Sequence, residues 1–364
     1  MYLYFSNQIT INLIIMKKLI SITLILFLSF SLFGQTNMPD STFKADDQQS
    51  EKLYNEGVTL FESKNYAEAL TKFNAAIDLK ADFEKAIYNR GAVKLEMKDY
   101  ANAVLDFNKS IAISPSAKAF FNRGKAQFEL SKHDDAISDF SKAIELDSTH
   151  AQAYYYRGVE LFQKSEYDRA ILDFNHAILN KPDYAYAFND RGSAKLMQEK
   201  YEAAAADYVQ ACKLNNNVPF FHENLGSAKK KLGDFKGAVE EYTLAITMKP
   251  DYYIAINNRG SAYFELGEYD KAIADYSKAI ALKADYAFAF NNRANAKYKL
   301  KDYPAALTDY NKAIELNPNY GYAYLNRGIT YEMLRQADKS CLDWKKAKDL
   351  GIATADTYLK LQCK

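Results

Sequence analysis

Apolar and polar positions along this chain follow two superposed periods. Within short windows, small and aromatic residues fall four and three apart, as in Ala238, Tyr242 and Ala245, which places them on one face of a helix. Over longer distances the same face returns every 34 residues, with a single spacing of 33. Glycine marks each return at Gly57, Gly91, Gly124, Gly158, Gly192, Gly226, Gly260 and Gly328, and Ala294 takes the remaining slot. Twelve residues after the slot stands a small residue, Ala69 through Ala306 and then Ser340. Sixteen after it comes an aromatic, Phe73 through Tyr310 and then Trp344, and nineteen after it another small residue. The pattern predicts nine units over residues 50–354, each with a first helix carrying the glycine and a second carrying the small, aromatic, small face.

Proline agrees with these boundaries. Pro115, Pro182, Pro250 and Pro318 fall where a second helix must stop, while Pro219 and Pro304 fit the first turn of a helix, where the missing N–H is not needed. Glycine in a helix interior costs about 1 kcal/mol relative to alanine, so its regular return implies close packing. Ala294 indicates that a methyl is tolerated. One helix pair cannot bury its own apolar face, so the units must stack and the last must be capped. Residues 355–364 read as a capping helix, with Ala355, Tyr358, Leu359 and Leu361 inward and Asp356, Lys360 and Lys364 outward.

This register closely resembles the tetratricopeptide repeat over nearly the whole predicted mature chain. The resemblance implies an all-α fold, a right-handed superhelical α-solenoid of stacked antiparallel helix pairs whose first helices line an inner groove. Nine such units would make roughly one full turn.

The N-terminal pattern is different. Met16, Lys17 and Lys18 precede an apolar run over 19–33 and then Gly34, the order of an export signal. We read 1–15 as an untranslated upstream extension, 16–34 as a signal peptide, 35–49 as a polar linker, 50–354 as the array and 355–364 as its cap. The apolar run of 15 residues is shorter than the roughly 20 of a spanning helix, with an uncleaved anchor as the alternative. The expected mature protein is exported to the periplasm or cell envelope without membrane insertion. Lys and Arg number 47 against 46 Asp and Glu, so no strong field draws the chain to nucleic acid.

In seven units an arginine precedes the glycine slot and an aspartate stands 16 residues after the arginine, including Arg90 and Asp106, Arg123 and Asp139, Arg259 and Asp275, and Arg293 and Asp309. The first unit reverses both signs with Glu56 and Lys72. Pairing across units would set Lys72 against Arg90, so structural salt bridges between the two helices of one unit are predicted. The alternative is an arginine ladder for anionic ligands. The sixth unit, with Leu225 and Glu241, does not fit.

Two residues before the slot stand Asn55, Asn89, Asn122, Asn224, Asn258, Asn292 and Asn326, interrupted by Tyr156 and Asp190. The resemblance implies that this place faces the groove, where an asparagine ladder holds extended peptide through its backbone. An amide offers donors and an acceptor whatever the peptide's side chains, at about 0.5 to 1.5 kcal/mol net per bond. A hydrogen bond within its own helix or to water is the competing role. Flanking the ladder are Tyr54, Tyr88, Phe121 and Tyr155 in the first four units, then Asn189, Glu223, Asn257 and Asn291. Three residues earlier, Glu51, Lys85, Lys118 and Gln152 give way to Tyr186, Phe220, Ile254, Phe288 and Tyr322. A groove with two chemically different halves is expected, meeting near Tyr156 and Asp190. The family's carboxylate clamp needs lysines that these positions lack.

Cys212 reads as a buried small hydrophobe. Cys341 and Cys363 lie in the last unit and its cap, where an oxidising compartment would permit a disulfide. Paired C-terminal cysteines also fit the resemblance to exported bacterial repeat proteins. His133, His150, His176 and His222 occupy different places in the repeat, and no phosphate loop, CxxC pair or metal-binding helix appears. No enzymatic activity, cofactor or metal is predicted. The expected function is a scaffold or adaptor that binds a protein or extended peptide in its concave groove, within a larger complex. The alternatives are a structural component of an envelope complex that engages through its convex face, and a glycan-recognition module.

Overall fold

The computed structural model describes residues 40–363, which form helices joined by short turns, with no strand among them. Contacts divide the described residues into two compact units, the first ending at Leu130 and the second beginning at Ser131. The upstream extension, the export signal and the start of the linker lie outside the described residues.

The first unit holds α1 (Asp40–Glu62), α2 (Tyr66–Leu79), α3 (Glu84–Glu96), α4 (Tyr100–Ile113) and α5 (Ala117–Glu129). α1 packs on α2 and α3 on α4, and short turns make each pair antiparallel. The linker expected over 35–49 is helical from Asp40 onward, because no glycine or proline interrupts residues 40–56. This extra length is tied down by an ion pair from Lys80 to Asp47 (2.9 Å) and by the fully buried Ser50.

The second unit runs through α6 (His133–Leu146), α7 (Ala151–Gln163), α8 (Tyr167–Asn180), α9 (Ala185–Met197), α10 (Tyr201–Leu214), α11 (Pro219–Lys231) and α12 (Phe235–Met248). It continues with α13 (Tyr253–Glu265), α14 (Tyr269–Leu282), α15 (Ala287–Lys299), α16 (Tyr303–Leu316), α17 (Gly321–Met333), α18 (Ala337–Asp349) and α19 (Thr354–Gln362). From α7 onward the helices pack pairwise, α7 on α8 through α17 on α18, and each pair packs on the next.

The small, aromatic, small face is the core of every pair, as with Ala238, Tyr242 and Ala245 in α12, all 0 % exposed. A Cβ on Gly260 would stand 2.9 Å from Cε1 of Tyr276, which is why glycine recurs where the first helix crosses the aromatic of the second. At Ala294 the methyl is accommodated and buried against Ala306 and Tyr310.

The turn between the helices of a pair has a feature that the repeat pattern hides. Seven residues after the glycine slot the backbone is left-handed: Lys64 and Lys98 in the first unit, and Ser165, Glu199, Lys301 and Arg335 in the second. Only Gly233 and Gly267 meet this demand with glycine, at φ 81° and 76°.

At the C-terminal end α19 packs on α18. Ala355, Tyr358 and Leu359 face Trp344 and Ala347, whereas Leu361 is 67 % exposed. The expected inward Leu361 is thereby corrected, since six residues beyond Ala355 the helical turn carries a side chain well off the buried face. Cys341 and Cys363 are joined in a disulfide that ties α19 to α18.

Candidate functional site

Arginine and aspartate form the frame on which the first helices are held. Arg90 donates from Nη2 and Nε to the two oxygens of Asp106 at 2.6 and 2.9 Å. Arg157 with Asp173, Arg191 with Asp207, Arg259 with Asp275, Arg293 with Asp309 and Arg327 with Asp343 repeat this forked geometry. The remaining nitrogen reaches back to the preceding second helix, as from Arg259 to Thr243 Oγ1 (3.2 Å) and from Arg327 to Asn311 (2.7 Å). Each guanidinium thus joins three helices, with three of its five N–H donors committed within the fold. Arg123 donates to Asn108 (2.7 Å) in the first unit, and Asp139 is buried in the second. In the first repeat Lys72 and Glu56 pair at 2.7 Å with the signs exchanged.

The sixth repeat replaces this strut. Leu225, 4 % exposed, packs on Tyr208 where an arginine would stand, and Glu241 is held instead by His222 Nδ1 (2.8 Å) and Lys229 (2.7 Å). The Cys212 sulfur and the Glu241 carboxylate push the His222 imidazolium up to about 10. Sequence reasoning missed this cluster because it draws on three helices and no other repeat carries a histidine at the position of His222 or a cysteine at that of Cys212.

The ladder amides are linked from repeat to repeat. Asn224 donates to Asn189 (2.9 Å), Asn258 to Glu223 (2.8 Å), Asn292 to Asn257 (3.2 Å) and Asn326 to Asn291 (3.2 Å). The inner amides then donate sideways, Asn257 to Asn258 (3.3 Å) and Asn291 to Asn292 (3.4 Å). The result in the second unit is two hydrogen-bonded runs, one from Asn326 to Glu223 and one from Asn224 through Asn189 to Asp190, whose inner members Asn189, Asn257 and Asn291 are buried and whose outer amides are partly exposed. Each outer amide uses one N–H in this strip, which leaves its second N–H for a ligand. Asn326 also lines a cavity of about 210 Å³ with Phe264, Asn295, Tyr298 and Ile329.

In the first unit the ladder is built differently. Asn89 and Asn122 donate to the hydroxyls of Tyr54 (3.2 Å) and Tyr88 (2.8 Å), while Asn55 is exposed. The rings of Tyr54 and Tyr88 pack against Phe73 and Phe107, and Phe121 is buried. Tyr155, in the second unit, packs likewise on Phe174 and Tyr184. These four aromatics were expected to flank the groove as binding residues. The rings of Tyr54, Tyr88 and Tyr155 pack into the seam between neighbouring helices, and their hydroxyls join the polar network.

At Asp190 the strip meets charge. Asp190 accepts from Tyr155 OH (2.8 Å) and Asn189 (2.8 Å), and burial raises its pKa. Glu223 accepts from Asn258 and from Ser227 (3.1 Å), and burial raises its pKa too. Beside them Tyr186 is 44 % exposed.

Comparison with known proteins fits this geometry. Models of the TPR repeat match residues 192–233 and 260–301, and tetratricopeptide repeat models match 84–116, 117–150, 221–252, 287–320 and 309–341. The C-terminal part of a TPR repeat-containing protein from Cytophaga hutchinsonii is similar in fold at 19% identity and a TM-score of 0.54, covering 66% of this chain and 98% of that one. The Cut9–Hcn1 hetero-tetramer of APC/C gives 12% identity and 0.53, covering 87% and 97%. Pseudomonas aeruginosa PilF gives 16% and 0.51, covering 59% and 97%. No curated protein matches the chain. With matches that together span more than half its length, all in the helix-pair register described above, the chain belongs to the tetratricopeptide repeat proteins.

Proposed function

We propose that this scaffold holds an extended segment of a protein partner along the amide strip of its first helices, and that it does so after export, in the cell envelope. Repeats of this family are protein-interaction scaffolds, and the arrangement here adds a mode of contact. The carrying observation is the outer column Asn224, Asn258, Asn292 and Asn326, whose amides are oriented by the neighbouring repeat and keep an N–H unspent. Amides held in place lose little entropy on binding, so bonds of about 1 kcal/mol each accumulate along an extended backbone. The disulfide at the cap and the signal-like segment over 16–34 support an oxidising, extracytoplasmic location.

Affinity capture from an envelope extract tests the reading, with wild type beside the variant Asn224, Asn258, Asn292, Asn326→Ala. The substitution strips donors from Asn189, Glu223, Asn257 and Asn291, so helicity and melting must be compared first. Partners lost only from a variant that is still folded would establish the strip as the site. Partners retained equally by both would move the search to the convex face, and fractionation of the native protein with the cytosol would refute the location.

A further inference from the structure

Five large apolar side chains, Tyr186, Phe220, Ile254, Phe288 and Tyr322, stand between 37 and 57 % exposed in the second unit. Each precedes its ladder position by four residues, so stripe and amides share one face of the first helices. Apolar side chains repeated in register and left open mark a contact surface. At one end of this face the Tyr186 and Phe220 rings lie 6.1 Å apart; the ladder position four residues after Tyr186 is Asp190 rather than an amide, and Glu223, three residues after Phe220, takes the place of an asparagine in the adjoining column.

Those two carboxylates depart from the rule by which this chain buries acid. Asp207, Asp275, Asp309 and Asp343 each face a guanidinium, whereas Asp190 and Glu223 accept only from neutral groups and have no cation within salt-bridge distance among the described residues. Lys230 acts on Glu223 through space but directs its ammonium to Ser261 Oγ (3.3 Å). Ending a strip of amides needs an acceptor, and an asparagine or glutamine oxygen would serve without burying charge. Each carboxylate therefore invites a partner of opposite charge, and exposed aromatic faces beside them suit a cation.

We propose that this face takes an extended peptide carrying an arginine or lysine side chain, which docks against Tyr186 and Phe220 and is neutralised by Asp190 and Glu223. The inference rests on the peptide-binding reading above and adds the chemistry of the peptide. Apolar side chains elsewhere in the same ligand would lie on Ile254, Phe288 and Tyr322.

The test is selection from a phage-displayed library of randomised peptides with the full chain, in parallel with the variant Asp190→Asn, Glu223→Gln. Wild type should enrich peptides with a basic residue, and the variant should not. A selected peptide resynthesised with citrulline for arginine should bind wild type about tenfold more weakly, with the difference abolished in the variant. Enrichment without basic residues, or indifference of wild type to citrulline, overturns the proposal while leaving peptide binding intact. A variant that keeps the basic preference overturns the assignment to these two carboxylates. Failure of wild type to enrich any peptide overturns this inference together with the peptide-binding reading. The citrulline comparison on wild type needs no variant to fold.

Discussion

Arg259→Ala isolates the strut that sets each first helix on its neighbours. The guanidinium makes two bonds of 2.8 Å to Asp275, and the two side chains are 19 and 9 % exposed. Removing it strands a buried carboxylate, for which breaking such a pair costs about 3 to 5 kcal/mol. It also deletes the bond to Thr243 on α12, about 1 kcal/mol more, so the contact between successive repeats weakens with the one inside the repeat. In a stacked array this loss is local, and a single melting temperature blurs it. Hydrogen exchange resolves it: amides of α13 and α14 should lose protection by several kcal/mol, those of α12 by less, and those of α17 by little. Arg259→Met with Asp275→Leu should recover much of the loss, because the penalty comes from the orphaned charge and not from the absence of a salt bridge. A protection loss below about 1 kcal/mol at α13 and α14, or an unchanged fold with weakened partner capture, would refute the structural role and favour an arginine ladder for anions.

Two further perturbations probe the unusual parts of the chain. His222 is held at about 10, above its ordinary 6.5, so its contribution to stability is complete below pH 6.5 and is lost as pH rises toward 10. Urea titrations of wild type and His222→Ala across that window should converge at the alkaline end, and parallel curves would exclude the linkage. The Cys341–Cys363 disulfide spans a sequence separation of 22 residues, for which loop closure accounts for about 3 kcal/mol. Reduction, or Cys363→Ser, should raise exchange in α19 and the end of α18 before any other helix, and uniform destabilisation would contradict a purely local tie.

The helices, their pairing and their buried faces were legible in the sequence because each repeat must satisfy the same packing at the same spacing. The forked struts were legible in part, through the exchange of signs at Glu56 and Lys72. Their third bond was not, although a column of Asn, Ser and Thr at Asn74, Ser141, Asn175, Thr243, Ser277 and Asn311 carries it. The left-handed turn escaped notice because lysine, serine, glutamate and arginine fill most of its positions. For the candidate site, the asparagine column was visible but its partners were not, since each lies 35 residues away in the adjoining column. The packing of Tyr54 and Tyr88 was hidden for a related reason. An aromatic at that slot fits a groove wall as well as a seam between helices, and only packing distinguishes them.

Departures from the repeat concentrate between Asp190 and Glu241, and they are of two kinds. Leu225 removes an arginine, and Glu241, His222 and Lys229 rebuild the strut with other groups, so this departure is compensated inside the fold. Asp190 and Glu223 replace neutral amides with carboxylates, and no cation of the chain pairs with them among the described residues. A compensated departure changes how a repeat is held and leaves its surface chemistry alone. An uncompensated one changes the surface chemistry itself, so on the proposal above it is at Asp190 and Glu223, within an otherwise uniform array, that a cationic ligand would be told apart from others.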